Sequence, residues 1–213
     1  MDNIKTTALN DLYRTDLPDI TNHLSIAGVV DRSLCTIMHV MHLSDDFVAV
    51  LFSLPTHRFY LQFTYEAKET TKLDAVCFHP HKEVYLLITS KKFTYENVVN
   101  IVKAKPTKGW SIGDNFRNTS RIMDFTSVKY CADEDINTSV NEDIISIVSR
   151  TKLNKEKVDV LKSSADCRVV IAIWSHHSVY TGFIIESDTM KTLAKIQLNL
   201  DYMPYVFTDS HYQ

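Results

Sequence analysis

The sequence predicts an α+β protein: an N-terminal helix plus an antiparallel β meander, followed by a ferredoxin-like or related α/β-sandwich domain. Apolar side chains recur at helical spacing within residues 3–14. Apolar, β-branched and aromatic runs separated by short polar breaks then follow as far as residue 78, as expected of a meander. From residue 83 onward, strand-like and helix-like segments alternate, which is typical of a sheet with helices on one face.

The first half is expected to hold one helix, a short helix or turn at residues 19–24, and four strands. Phe59, Leu61 and Phe63 alternate with Tyr60 and Gln62, the pattern of a half-buried strand. The predicted strands are residues 34–43, 46–54, 58–66 and 72–78.

A boundary is predicted near Pro80, because strand-like runs lie on both sides of a residue that interrupts a β ladder. We therefore expect a helix-plus-meander subdomain at residues 1–80 and an α/β sandwich at residues 81–213.

The second half alternates more regularly. Thr94 is suited to cap the helix that follows it. Residues 140–163 form one long helix or two with a break near Asn154. Further helices are predicted at 94–102 and 188–197, and strands at 83–89, 121–130, 168–174, 179–185 and 198–207, with a hairpin joining 168–174 to 179–185.

Two segments of this half carry a family resemblance. The loop after the 94–102 helix contains Pro106-Thr107, Trp110 and Gly113-Asp114, and the chain closes on Leu200-Asp201-Tyr202 with Tyr205 beyond. In both features, residues 83–207 resemble the bacterial domain-of-unknown-function family 4279, whereas residues 1–80 lie outside the resemblance. Asp124-Phe125 departs from it, since members often have a Trp there. The resemblance implies an architecture rather than a chemistry, and some members lie in toxin–immunity gene clusters.

Composition argues against several function classes. The chain has only four glycines, none clustered, so a phosphate-cradling loop is not expected. The net charge is −3, and residues 1–80 hold six Lys/Arg against ten Asp/Glu, which argues against nucleic-acid binding. Residues 1–20 lack the apolar core of a secretory signal, and the most apolar stretch, 47–54, is shorter than the roughly 20 residues that span a bilayer. We expect a cytoplasmic protein without a membrane partner.

The residues that could carry chemistry do not form a known motif. Cys77, His79 and His81 alternate, so they could share one strand face and one metal ion, but Pro80 interrupts them and no fourth ligand is near. The four cysteines form no CxxC pair and are expected to be packed thiols. We predict no metal, no cofactor and no catalytic residue, with an undetected hydrolase as the third hypothesis.

The leading hypothesis is a non-enzymatic inhibitor, an immunity protein that binds a cognate protein toxin and occludes its active site or substrate surface. Two acidic clusters could face a basic, nuclease-like partner, although solvated loops would look the same. The alternative is a small-molecule-sensing or regulatory module, with a pocket in the cleft between the halves. Tyr202, Tyr205 and Phe207 form either an aromatic surface or core. The candidate partner-binding residues are Asp45, Asp46, Asp133, Glu134 and Asp135, and the candidate pocket residues are His79, His81 and Trp110.

Overall fold

The computed structural model describes residues 2–115, 120–133, 135–179 and 181–208. These ranges hold helices and two mostly antiparallel sheets, which confirms the α+β class, with an N-terminal helix followed by a strand meander. None of the helices in these ranges is long and apolar enough to cross a membrane. The chain divides into two compact units: the first comprises Met1–Lys82, Ile173–Thr181 and Pro204–Gln213, and the second comprises Glu83–Ala172 and Gly182–Met203.

The first unit is built on a four-stranded antiparallel sheet in the order β1-β2-β3-β4. A short 3-10 turn, Arg32–Leu34, leads from the helices into the sheet. The elements are α1 (Asp2–Tyr13), α2 (Pro18–Ile26), β1 (Ile37–His42), β2 (Phe47–Ser53), β3 (Tyr60–Glu66) and β4 (Glu69–His79).

Alternation along β3 gives this sheet two different faces. Leu61, Phe63 and Tyr65 are fully buried in a core that includes Leu12 and Leu24 of the two helices. Successive strand residues point to opposite faces, so the residues between them lie on the side away from this helical core. Those residues are Tyr60, Gln62 and Thr64, exposed by only 9%, 9% and 7%.

The second sheet has five strands in the order β6-β7-β5-β8-β9, and β7 is antiparallel to both β5 and β6. The first residues of β5 and the last residues of β8 and β9 belong to the first unit. The elements are β5 (His81–Ser90), α3 (Tyr95–Val102), β6 (Lys108–Trp110), β7 (Thr126–Cys131), α4 (Val140–Thr151), α5 (Lys155–Lys162), β8 (Asp166–His176), α6 (Ser187–Lys195) and β9 (Asn199–Phe207).

Local signals placed most helix boundaries correctly. Thr94 caps α3 in a capping box with Asn97, and Asn154 caps α5, so residues 140–163 form two helices rather than one. The predicted hairpin is wrong, because residues 181–186 form no strand. The sheet order gives the reason: β8 lies between β5 and β9, so its neighbouring positions are already filled.

Candidate functional site

Five aromatic and histidine rings form a continuous row within the first unit. This aromatic row consists of His39, Tyr60, His81, Trp174 and Tyr205. Successive ring centroids are 5.8, 5.5, 5.5 and 5.0 Å apart, within the range of favourable ring contacts. Residues far apart in the sequence therefore meet in one row of ring contacts.

The row is assembled from five different strands. Tyr60 faces away from the helical core because its neighbour Leu61 faces into it. His79, opposite Tyr60 in the ladder between β3 and β4, lies beside the row at 6.4 Å between ring centroids. The strands are β1 for His39, β3 for Tyr60, β5 for His81, β8 for Trp174 and β9 for Tyr205.

Hydrogen bonds fix the orientation of the histidines. The Tyr60 hydroxyl lies 2.9 Å from Nδ1 of His81. The Gln62 amide donates to Oγ1 of Thr64 at 3.0 Å, which leaves its Oε1 to accept from Nδ1 of His79 at 2.9 Å. This bond makes Nδ1 the protonated nitrogen of His79 and leaves a lone pair on Nε2.

The electrostatic surroundings favour the neutral form of His79. Burial lowers the pKa of His79 below its ordinary value, and the nearby His39 lowers it further. His79, beside this end of the row, is therefore neutral at neutral pH.

The other end of the row is cationic and more exposed. The Arg58 guanidinium carbon lies 4.6 Å from the centroid of the Trp174 ring, a cation–π contact. Trp174 is only 9% exposed, whereas Tyr205, stacked on it, is 42% exposed. Arg, Trp and Tyr are the side chains that most often dominate the binding energy of protein interfaces.

The described residues offer little for covalent or metal chemistry. Among them, no group of three or more His, Cys, Asp or Glu side chains is placed to hold a metal ion. Burial raises the pKa of Cys77, beside the row, and raises that of Cys167 to about 12. Thiols with raised pKa values are protonated at neutral pH and are poor nucleophiles.

The candidate pocket residues fall into both units. His79 and His81 both contact the Tyr60 ring. Trp110 lies on β6 in the second unit, packed against Phe125 with ring centroids 5.8 Å apart. Both histidines therefore contact the same ring, that of Tyr60, whereas Trp110 packs against Phe125.

The first acidic cluster, Asp45 and Asp46, is exposed in the turn between β1 and β2. The Asp46 carboxylate lies 3.6 Å from the ammonium of Lys68. Such an exposed pair contributes little to stability and leaves the turn available to other charges.

The second acidic cluster lies in the second unit, before α4. Asp133 pairs with Arg150 at 3.1 Å, and Oδ1 of Asp135 accepts from the backbone N–H of Asn137 at 2.9 Å. Glu134 lies outside the described residues. Both described carboxylates therefore already have local partners.

Sequence reasoning missed Arg58, Tyr60 and Trp174. Trp174 ends an apolar run that predicts core, and Tyr60 lies between the core residues Phe59 and Leu61. The signal that could have found Tyr60 was the alternation of apolar and polar residues along each strand. This alternation places Tyr60 and His79 on the same face of their strands as other polar residues. The ring contacts through His81 that join Tyr60 to Trp174 connect distant parts of the sequence and are not encoded locally.

The family model described as Domain of unknown function (DUF4279) matches residues 79–207. The chain belongs to this family. No curated protein and no solved structure matches the chain. The DUF4279 region supplies His81, Trp174 and Tyr205 to the aromatic row, whereas His39 and Tyr60 precede that region. The row therefore combines residues of the family domain with residues of the preceding meander.

Proposed function

We propose that this DUF4279 protein is a non-enzymatic inhibitor, a cytoplasmic immunity protein that binds a cognate bacterial toxin and covers its active site or substrate surface. The observation that carries the proposal is the aromatic row with Arg58 at its exposed end. A half-exposed Tyr205 stacked on a buried Trp174 is a rigid anchor, and rigid anchors lose little side-chain entropy on binding.

The row suits a protein surface better than a base or a sugar ring. Stacking on a flat ligand needs an open ring face, but the Trp174 ring is engaged by both Tyr205 and Arg58 and is 9% exposed. A protein partner instead packs around side-chain edges and tips. A stable complex would bury about 1,600 Å² in total, so the contact would extend beyond the row.

The charge of the first half supports a basic partner. Residues 1–80 carry six basic and ten acidic side chains, and Asp45 and Asp46 are exposed. Acidic groups at the rim of an interface steer a basic partner and raise its association rate more than its affinity. A role for Asp133, Glu134 and Asp135 in the same contact stays a prediction, with the Asp133–Arg150 pair competing against it.

Tagged protein exposed to a lysate of the source organism tests the proposal, with bound proteins identified by mass spectrometry. We expect one stoichiometric partner that is toxic when expressed alone and harmless when this protein is co-expressed. A partner that is not toxic, or whose toxicity persists beside this protein, contradicts the immunity function. Recovery of no partner counts against the proposal.

A cavity in the first unit favours small-molecule binding as a second candidate function. Its volume is about 360 Å³, within the range of small-ligand sites. The lining includes Ala27, Gly28, His57 and Phe207. A ligand-dependent rise in melting temperature that is lost in a His57→Phe variant would support this function, and a screen without any shift would oppose it.

A further inference from the structure

Strand β1 lies at the edge of the first sheet, with β2 as its neighbour in the strand order. The Leu43 N–H donates to the Phe47 carbonyl at 3.0 Å, so these two residues form a hydrogen-bonded pair of the antiparallel ladder. Bonded and non-bonded pairs alternate along such a ladder. Val40 and His42, opposite Val50 and Val48, are therefore non-bonded pairs whose backbone N–H and C=O groups point outward.

The segment around this edge is uncharged. Residues 33–44 contain no Lys, Arg, Asp or Glu. Met38 and Leu43 are 50% and 45% exposed. Natural proteins usually protect an edge strand with charges, prolines or bulges. The only such feature in β1 is the bulge between Ile37 and His39, which leaves residues 39–43 regular.

The opposite edge of the same sheet is protected. Strand β4 carries Glu69, Lys72 and Asp74, all exposed. A charged edge repels a second strand and is costly to desolvate. The charged edge at β4 and the uncharged edge at β1 differ in this protection, which indicates that β1 is the edge suited to pair with another strand.

From this edge we propose that the protein forms a two-fold symmetric dimer by antiparallel pairing of β1 with β1 of a second copy. The register centred on Met41 pairs Val40 of each copy with His42 of the other, which uses all the outward backbone groups of both residues. It also places Asp45 opposite Ile37, so no carboxylate meets a carboxylate. Pairing with a second copy of this uncharged strand brings no charged side chain of β1 into the interface. A basic partner, in contrast, would have no acidic side chain within β1 to pair with. Two-fold pairing closes the assembly at a dimer and yields one continuous eight-stranded sheet, since each copy contributes four strands.

Analytical ultracentrifugation of His42→Pro and His42→Ala tests the proposal, because the two variants remove the same exposed side chain but only proline removes the outward N–H. We expect the wild type and His42→Ala to show a concentration-dependent doubling of mass and His42→Pro to stay monomeric. A wild type that is monomeric at every concentration overturns the proposal, and so does a His42→Pro variant that dimerises like the wild type.

Amide hydrogen exchange of the wild type provides a test that does not depend on the folding of a variant. The N–H groups of Val40 and His42 should become more protected as protein concentration rises. Protection that does not change with concentration overturns the dimer. Neither result bears on toxin binding, so the dimer and the proposed function can fail separately.

Discussion

The rings of Trp174 and Tyr205 lie 5.0 Å apart and within 4° of parallel, on the ends of β8 and β9. Both residues are held by the sheet rather than by a loop, and Tyr205 projects from a buried support. Side chains fixed on strands are positioned more accurately than side chains on mobile loops. This stack is therefore the part of the aromatic row best suited to anchor a partner.

Arg58 should contribute to partner binding through its planar guanidinium rather than through charge alone. It lies over the Trp174 ring, where lysine stacks less well. We expect Arg58→Ala to weaken binding by about 2 kcal/mol, roughly thirtyfold. Arg58→Lys should recover only part of this loss in isothermal titration calorimetry, and full recovery would show that charge alone matters.

His79 should make the protein less stable in mild acid. Its pKa is lowered in the folded state by burial and by His39, whereas an unfolded histidine titrates near pH 6.5. Below about pH 6.5 the unfolded chain takes up the proton first, so stability falls until the folded-state pKa is reached.

Melting curves measured between about pH 7.5 and 5.5 check this sign. His79→Gln, which cannot titrate, should show a smaller decrease in melting temperature than the wild type over this range. Burial also lowers the pKa of His57, so His57 should decrease stability in mild acid independently of His79. An equal or steeper decrease in the His79→Gln variant would contradict the assignment.

The hydroxyl of Tyr65 should stabilise the first unit. It donates to Oδ2 of Asp11 at 3.0 Å, and burial raises the pKa of Tyr65 well above its ordinary range. Tyr65→Phe deprives the 5%-exposed Asp11 of this donor. Urea unfolding should show a loss of about 1.5 to 3 kcal/mol. Tyr13→Phe is the control, since Tyr13 is 55% exposed, and an equal loss in the two variants would contradict the argument.

Removing only one member of the ion pair between Glu83 and Lys129 should destabilise the protein. The two side chains are 2.6 Å apart and only 17% and 12% exposed. Burial alone would raise the pKa of Glu83, but the hydrogen bond and charge of Lys129 lower it. Lys129→Met leaves the largely buried Glu83 carboxylate without its ammonium partner and should destabilise by about 3 kcal/mol.

A double-mutant cycle that combines Lys129→Met with Glu83→Leu separates the energy of the ion pair from the energy of packing the carbon chains of the two residues. The double variant should recover most of the lost stability, because neither charge is then buried without its partner. Additive losses in urea unfolding would show that the two residues act independently.

Features encoded over a few residues were predictable from the sequence, and features that depend on strand order were not. The caps at Thr94 and Asn154 follow from side-chain oxygens placed before apolar helical runs. The alternation that placed His79 and His81 on one side of their strands is equally local. Tyr60 and Trp174 join them only through ring contacts with His81, which bring together segments far apart in the sequence. The incorrect strand at 179–185 likewise depends on strand order, because β8 already lies between β5 and β9.

Tyr205 and Tyr202 provide the most direct test of the aromatic row, because both lie on β9 and both are 42% exposed. Tyr205 stacks on Trp174 in the row, whereas Tyr202 packs against Phe183 in the second unit. The decisive measurement is the affinity of the captured partner for Tyr205→Ala and Tyr202→Ala. The proposed function predicts a loss of about tenfold or more for Tyr205→Ala and little change for Tyr202→Ala. Unchanged affinity in Tyr205→Ala would contradict the assignment of the row as the binding surface.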